Sequence, residues 1–446
     1  MSDAARVQYA DLWGLREGKY SALQVTDVSK AGWELLQPGP PHFFFVPRTL
    51  DLQVEYEQGW SIDCVFPVSA TGFTTHRDDF VIDFEEGPLT TRIAMLRGAG
   101  VSDAEIRAAF QLADTASWQL PVARMQLGKD EDWRGAFQRC LYRPFDVRHI
   151  FYHDAMLDRP RRHLMRHMLS ENVALLAMRQ VVLGMPEYTH FGVSNLIVDN
   201  RAFLSNRGRP SVFPLYLYGG PDHAQGALFA NQGSQRQPNL SSQFVAQISD
   251  TFVLRFIPDG KGDLESTFGP EDIFHYMYAV FHSPTYRERY AEFLKIDFPR
   301  LPLTSDLRLF RALAEKGEEL VALHLMESPT LHQPIARFPV KGSNEVEKVR
   351  YLETSEVSED LGGLGGGLAP GRVYINKTQY FEGVEPEVWE FHIGGYQVLE
   401  KWLKDRKGRT LSYDDVSHYG KIVVALKETI RLMEEIDAII PSWPIE

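Results

Sequence analysis

The sequence predicts an α+β protein with a short N-terminal α/β region, a sheet-rich middle and a C-terminal helical bundle as support. Three observations lead there. Short runs rich in Phe, Val and Ile, bounded by Gly and Pro, recur through the first half of the chain, as strands do. From about residue 270 the apolar period changes from two to 3.6. Between them, residues 141–218 form a basic, aromatic stretch in an otherwise acidic chain. With 446 residues the chain can bury more than one core, and these transitions suggest segments 1–138, 139–265 and 266–446.

In order along the chain, FFFVPR (43–48), DCVFPV (63–68) and DFVIDF (79–84) are read as strands. Ser102 with Glu105 three residues on marks a helix start, because a serine oxygen and an acidic side chain satisfy the first free N–H groups reciprocally. In PRRHLMRHML (160–169), Leu164, Met165, Met168 and Leu169 share one helical face. VALLAMRQV (173–181), NLIVDN (195–200) and VFPLYLY (212–218) then read as strands. Further on, Ile273, Phe274, Met277, Val280 and Phe281 make an amphipathic face. Ser283 and Pro284 cap and start a helix with Tyr286, Tyr290, Phe293 and Leu294. A third helix, after Ser305, carries Leu307, Phe310, Leu313 and Val321. Residues 353–371 are Gly- and acid-rich and read as a mobile loop. The strand RVYIN (372–376), a helix through WEFHIGGYQVLEKWLKDR (389–406) and a last helix, KIVVALKETIRLMEEI (421–436), complete the chain. Trp389, Trp402, Leu403, Leu426, Ile430 and Met433 recur at helical spacing and suit a packed bundle. Gly394 and Gly395 inside a helix each cost about 1 kcal/mol against alanine, which points to close approach by another element.

Composition excludes several classes. No segment approaches the roughly 18 uninterrupted apolar residues of a membrane span, and the N-terminus lacks the basic-then-apolar order of a secretory signal; a cytoplasmic location and no membrane partner are expected. Cys64 and Cys140 alone make neither a disulfide scaffold nor a four-cysteine zinc site, and both read as buried or incidental thiols. The formal net charge is −13, but it is unevenly spread. Residues 1–138 carry 12 Lys and Arg against 20 Asp and Glu, residues 139–214 carry 11 against 6, and the remainder 24 against 34. The basic island is built of arginine, whose planar fork of donors fits phosphate oxygens and the major-groove edge of guanine. The plain alternative is a solvated helix face on which Arg159, Arg161, Arg162 and Arg166 pair with Asp154, Asp158 and Glu171.

Catalytic signatures are sparse. GGLGGG (362–367) has neither a preceding strand nor a following lysine with Ser or Thr, so it reads as linker and not as a phosphate cradle. His76, Asp78 and Asp79 resemble metal ligands but read better as a turn. Asp11, Glu17 and Lys19 match only faintly the carboxylate and lysine arrangement of magnesium-dependent nucleases. No Gly-x-Ser-x-Gly elbow occurs, and neither cysteine has a histidine nearby in sequence.

YRPFDVR (142–148), FGVSN (191–195), FPLYLY (213–218), HSPTYR (282–287), DFPRLP (297–302), IGGYQVL (393–399) and KWL (401–403) resemble, in this order, the C-terminal specificity region of type ISP restriction-modification enzymes. The resemblance spans nearly the whole chain. It implies a target recognition domain for double-stranded DNA, working in cis or trans with nuclease, ATP-driven translocase and adenine-N6 methyltransferase domains. The methyltransferase's Asn-Pro-Pro-Tyr motif, which would hold a flipped adenine, is missing; GPPH (39–42) is nearest and lacks the Asn. No cofactor is therefore expected in this chain, S-adenosylmethionine belonging to the associated methyltransferase. On this reading Arg159, Arg161, Arg162 and Arg166 are candidate phosphate contacts. Arg148, Tyr152, Arg179, His190, Asn195, Asn206 and Arg207, near strand ends or turns, are candidates to reach a groove. Alternatives stay open residue by residue: Arg143, Asp146 and Arg148 as a structural ion pair, Asn195 and Asn206 as turn residues, Tyr216 and Tyr218 as core or rim. For the whole chain, the alternatives are a methyltransferase or nuclease fragment with an unrecognised site, or a protein-interaction module with acidic faces.

Overall fold

The computed structural model describes residues 5–39, 43, 45–47, 51–98, 100–116, 118–181, 188–203, 208–219, 236–353 and 371–445. The chain divides into two compact units, Met1–Val54 and Glu55–Glu446. The first pairs the strands Val7–Tyr9 and Glu34–Leu36 antiparallel. It also holds the helix Arg16–Val25, none of whose residues is buried.

Two four-stranded sheets form the middle of the second unit. Their strands in chain order are β1 (Ala70–Thr71), β2 (Ile82–Asp83), β3 (Phe137–Arg143), β4 (Asp146–Phe151), β5 (Ala174–Ala177), β6 (Phe191–Ser194), β7 (Ile197–Val198) and β8 (Ser211–Pro214). One sheet runs β7-β3-β4-β2 and the other β1-β8-β5-β6. The first is built on the antiparallel β3/β4 hairpin, whose register shifts between Leu141 and Arg143; β7 joins it parallel to β3. Only Asn195 and Leu196 separate β6, an edge of one sheet, from β7, an edge of the other. The stretch after β1 crosses between the sheets in the same way, Phe73 bridging Asp199 and Thr74 bridging Arg159.

Among the described residues the three longest helices are α1 (Pro270–His282), α2 (Leu307–His324) and α3 (Tyr413–Ile439). They pack on one another. The amphipathic face expected for α1 understates its burial: 12 of its 13 residues are buried. Helices cover it on one side and the second sheet on another, where Phe281 stacks on Phe191 with centroids 4.6 Å apart. At its crossing with α2, a Cβ on Gly317 would stand 1.8 Å from the His275 carbonyl oxygen. Only glycine allows that approach.

Local chemistry was right at Ser102, whose Oγ accepts from the Glu105 N–H while the Glu105 carboxylate accepts from the Ser102 N–H, opening the helix Asp103–Phe110. Ser283 likewise caps the helix Pro284–Arg289. Other expectations change. Within DCVFPV the chain makes a helical turn, Ile62–Val65, because apolar residues three apart bury one face of a turn as readily as alternation buries a strand. DFVIDF starts as a turn of helix, Asp78–Val81, with both aspartates in its first turn, and only Ile82–Asp83 is strand. Of FFFVPR, residues 43 and 45–47 carry no strand, and the remainder lies outside the described residues. PRRHLMRHML shortens to Arg162–Met165 followed by a 3-10 turn, Arg166–Met168, since Arg161 sits at φ +56°. The tighter 3-10 winding rotates Leu169 off the buried face, leaving it exposed. Cys140 is buried, but Cys64 is exposed.

The helix expected over 389–406 is interrupted. Pro386–Trp389 is one turn, His392–Ile393 and Tyr396–Gln397 form a hairpin, and the helix resumes at Val398–Lys404. Gly394 and Gly395 have φ of +57° and +79°, the two consecutive positive values that a type I′ turn requires. RVYIN forms most of the strand Gly371–Tyr374, while 354–370 lie outside the described residues. Trp389, Trp402, Leu403 and Leu426 are buried; Ile430 and Met433 are half-buried, since Thr429, Leu432 and Ile436 take the inner face of α3.

Candidate nucleic-acid interface

The YRPFDVR motif is the β3/β4 hairpin, and the structure makes it an anchor. Asp146 is 1% exposed and binds two arginines, Arg148 at 2.7 Å and Arg406 at 3.0 Å. Burial opposes its ionisation, yet Arg406 and Arg148 together hold the carboxyl below the usual range. The Arg148 guanidinium is sandwiched between the rings of Tyr142, 3.9 Å to the centroid, and Phe84, 4.1 Å, and Asp405 lies 3.5 Å away. Arg406 in turn lies 3.4 Å from the Trp402 ring centroid. At the hairpin tip, the Phe145 carbonyl faces His418 Nε2 at 2.9 Å. Arg143 pairs with Asp199 at 2.9 Å; burial raises the Asp199 carboxyl to about 6 against that pull. The ion-pair alternative thus describes Asp146 and Arg148, while Arg143 pairs elsewhere, and Arg148 has its Nε and Nη2 committed to Asp146.

Two more nominees point inward. Tyr152 is 2% exposed and its hydroxyl donates to the Pro160 carbonyl. His190 is fully buried, its ring 5.4 Å from Tyr188 and 6.1 Å from Phe203. Both are core residues in this fold. Tyr216 is core, its hydroxyl accepting from the Gly260 N–H, and Tyr218 is half-buried rim.

The remaining nominees among the described residues reach the surface. Arg159 and Arg162 are exposed, and Arg161 and Arg166 half-exposed, on the segment that follows the Thr74–Arg159 bridge. The expected pairing of these arginines is partly present: Arg162 binds Asp154 at 2.6 Å and Arg159 stands 3.6 Å from Asp158. Arg179 is exposed and binds Asp297 at 2.8 Å. Asn195, in the link between β6 and β7, donates to Glu327 at 3.1 Å. Asn206 and Arg207 lie outside the described residues.

The crossover of 73–74 brings together further polar side chains that the sequence reading did not nominate for DNA contact. Successive strands lie about 5 Å apart, so the bridges of Thr74 with Arg159 and of Phe73 with Asp199 place His76, Arg159 and Arg201 on adjacent strand ends. His76, read from sequence as a turn, does have a turn backbone, φ +56°, with an exposed ring. Arg201 and Arg209 are exposed as well. Only the run of arginines could have suggested these two, and nothing local marks His76. Among the described residues no group of three or more His, Cys, Asp and Glu converges as metal ligands would, and no helix is long and apolar enough to cross a membrane.

Comparison with solved structures defines the class first. A nuclease-deletion mutant of the Type ISP restriction-modification enzyme LlaGI, in complex with a DNA substrate mimic, matches 97% of this chain with a TM-score of 0.64 at 18% identity. The ATP-dependent Type ISP enzyme LlaBIII bound to DNA matches 94% with 0.63 at 18%, and DrdV in a DNA complex matches 96% with 0.68 at 17%. This is therefore a fold found in Type ISP restriction-modification enzymes. The match takes in only 33%, 26% and 43% of those longer chains. The chain belongs to the Type ISP C-terminal specificity domain family, whose model matches residues 64–435. No curated protein matches it.

Proposed function

We propose that this chain recognises the double-stranded DNA target of a restriction-modification enzyme, directing an adenine-N6 methyltransferase that binds S-adenosylmethionine elsewhere. The observation that carries this reading is the exposed arginine segment 159–166 at the junction of the two sheets, in a chain of the specificity family. Arginines on a surface turn supply sequence-independent phosphate contacts, and neighbouring loops supply base contacts. Asn195, Arg179, Asn206 and Arg207 are the base-reading candidates; Arg148, Tyr152 and His190 support them from inside. The methyltransferase and translocase or nuclease domains are the partners this role needs.

The test is selection of bound duplexes from a random pool, with affinity followed over a salt series. A recovered consensus and binding that weakens as salt rises are expected. No salt-sensitive binding to any duplex, with the methyltransferase region supplied, refutes the reading. Methyl transfer from S-adenosylmethionine by this chain alone refutes the division of labour.

A further inference from the structure

Asp158 lies beneath the exposed junction, its side chain 9% exposed, with His76 Nδ1 at 3.7 Å and Arg159 Nε at 3.6 Å. The His76 and Arg159 side chains are 56% and 57% exposed. Their inner nitrogens face the carboxylate, which leaves Nε2 and the Nη atoms on the far side of each group. Both loops are held in place from below. Buried Arg77 donates through Nη1 to the Thr75 carbonyl at 2.9 Å and the Met156 carbonyl at 3.1 Å, stitching one loop to the other. Its guanidinium lies 4.0 Å from the Trp118 ring centroid. The Thr74–Arg159 bridge fixes their register.

His76 and Arg161, one in each loop, adopt left-handed backbone at φ +56°. Such conformations cost about 1 kcal/mol or more in ordinary residues and persist where the surroundings impose them. An ordinary surface ion pair needs neither a stitched pair of loops nor an enclosed carboxylate beneath an imidazole and a guanidinium. A receptor for one anionic group needs both, because preorganised donors lose less freedom on binding.

Resting on the DNA-reading proposal, we infer that His76 and Arg159 together grip one backbone phosphate of the duplex, and that Asp158 is the positioning residue that aims them. The arginine fork supplies paired donors to the phosphate oxygens and the imidazole edge a further polar contact.

The experiment measures anisotropy of the full chain with a labelled random-sequence duplex pool over a salt series, since phosphate contacts are sequence-independent. Arg159→Gln should weaken binding and flatten the slope of log affinity against log salt by about 0.9, the release of one phosphate contact. His76→Asn, which tolerates the left-handed backbone, should weaken binding severalfold. The double variant should be weakened by less than the product of the two single effects. Asp158→Asn discriminates: it makes the chain more positive by one charge, so field electrostatics alone predict tighter binding, whereas lost aim predicts severalfold weaker binding. In an Arg159→Gln, His76→Asn background Asp158→Asn should no longer weaken binding, which separates aim from misfolding. Tighter or unchanged binding by Asp158→Asn, or multiplicative effects of the two cation variants, overturns this inference while the DNA reading stands. Absence of salt-dependent binding by the unaltered chain overturns both.

Discussion

Replacing Gly394 with alanine should destabilise the protein through two separable effects. The first is backbone: Gly394 sits at φ +57°, where an L-residue carries a cost of about 1–2 kcal/mol. The second is steric: the added methyl would lie 2.3, 2.4 and 2.6 Å from Cδ1, Cγ and Cβ of Phe203. That ring is 4% exposed, and its Cζ already stands 2.9 Å from where a Cβ on Gly192 would be, so it cannot recede. The turn is also tied in place, the Gly394 N–H donating to the Thr189 carbonyl at 2.8 Å. Overpacking of this kind costs about 1–3 kcal/mol, giving about 2–5 kcal/mol together. Urea denaturation followed by tryptophan fluorescence measures it. Phe203→Ala in the same chain removes the clashing Cγ and Cδ1 and should recover much of the steric part, so the double variant should cost less than the sum of the singles by about 1–3 kcal/mol. A Gly394→Ala cost below about 1 kcal/mol, or strict additivity with Phe203→Ala, would refute the packing argument.

Asp146→Asn removes the carboxylate shared by Arg148 and Arg406 and should cost about 3–5 kcal/mol, because it leaves buried guanidinium charge uncompensated; the same urea titration reads it, and an unchanged midpoint would contradict the anchor. Acid should weaken the fold through its buried histidines. Burial holds His275 at about 4 and His324 at about 3, and pushes His282 down as well, whereas unfolded histidine titrates near 6.5. The unfolded chain therefore takes up protons first. Stability is full above pH 6.5 and falls towards pH 4, by about 3 kcal/mol from His275 alone. Asp199 acts oppositely, gaining stability as pH falls through about 6, but one carboxylate does not offset three histidines. Urea midpoints that stay level or rise between about pH 7 and about pH 5 would contradict this balance.

What the sequence made legible was local. The Ser102 and Ser283 caps and the 3.6-residue period of α2 and α3 depend on neighbours within one or two turns, and the structure contains them. Gly394 and Gly395 were correctly read as unusual inside a helix, but a type I′ turn resolves the conflict more cheaply than a crowded helix. The arginine run was legible as composition, whereas the direction of its side chains was not. Arg148 faces inward because Asp146 meets Arg406, 260 residues away in sequence, and nothing in the hairpin itself announces that partner. His76 acquires its surroundings from Asp158, brought close by a single bridge between Thr74 and Arg159. Such long-range pairings are set by tertiary packing and leave no periodic trace.

The short passage from β6 to β7 constrains how this protein can diversify. Side chains alternate along a strand, so gaining or losing one residue there would put β6 or β7 out of phase with its sheet and turn that strand's buried side chains outward. Length changes are thus excluded from 191–198 and left to the turns beyond it. New target preferences are expected to arise by exchanging residues on a frame whose spacing stays the same.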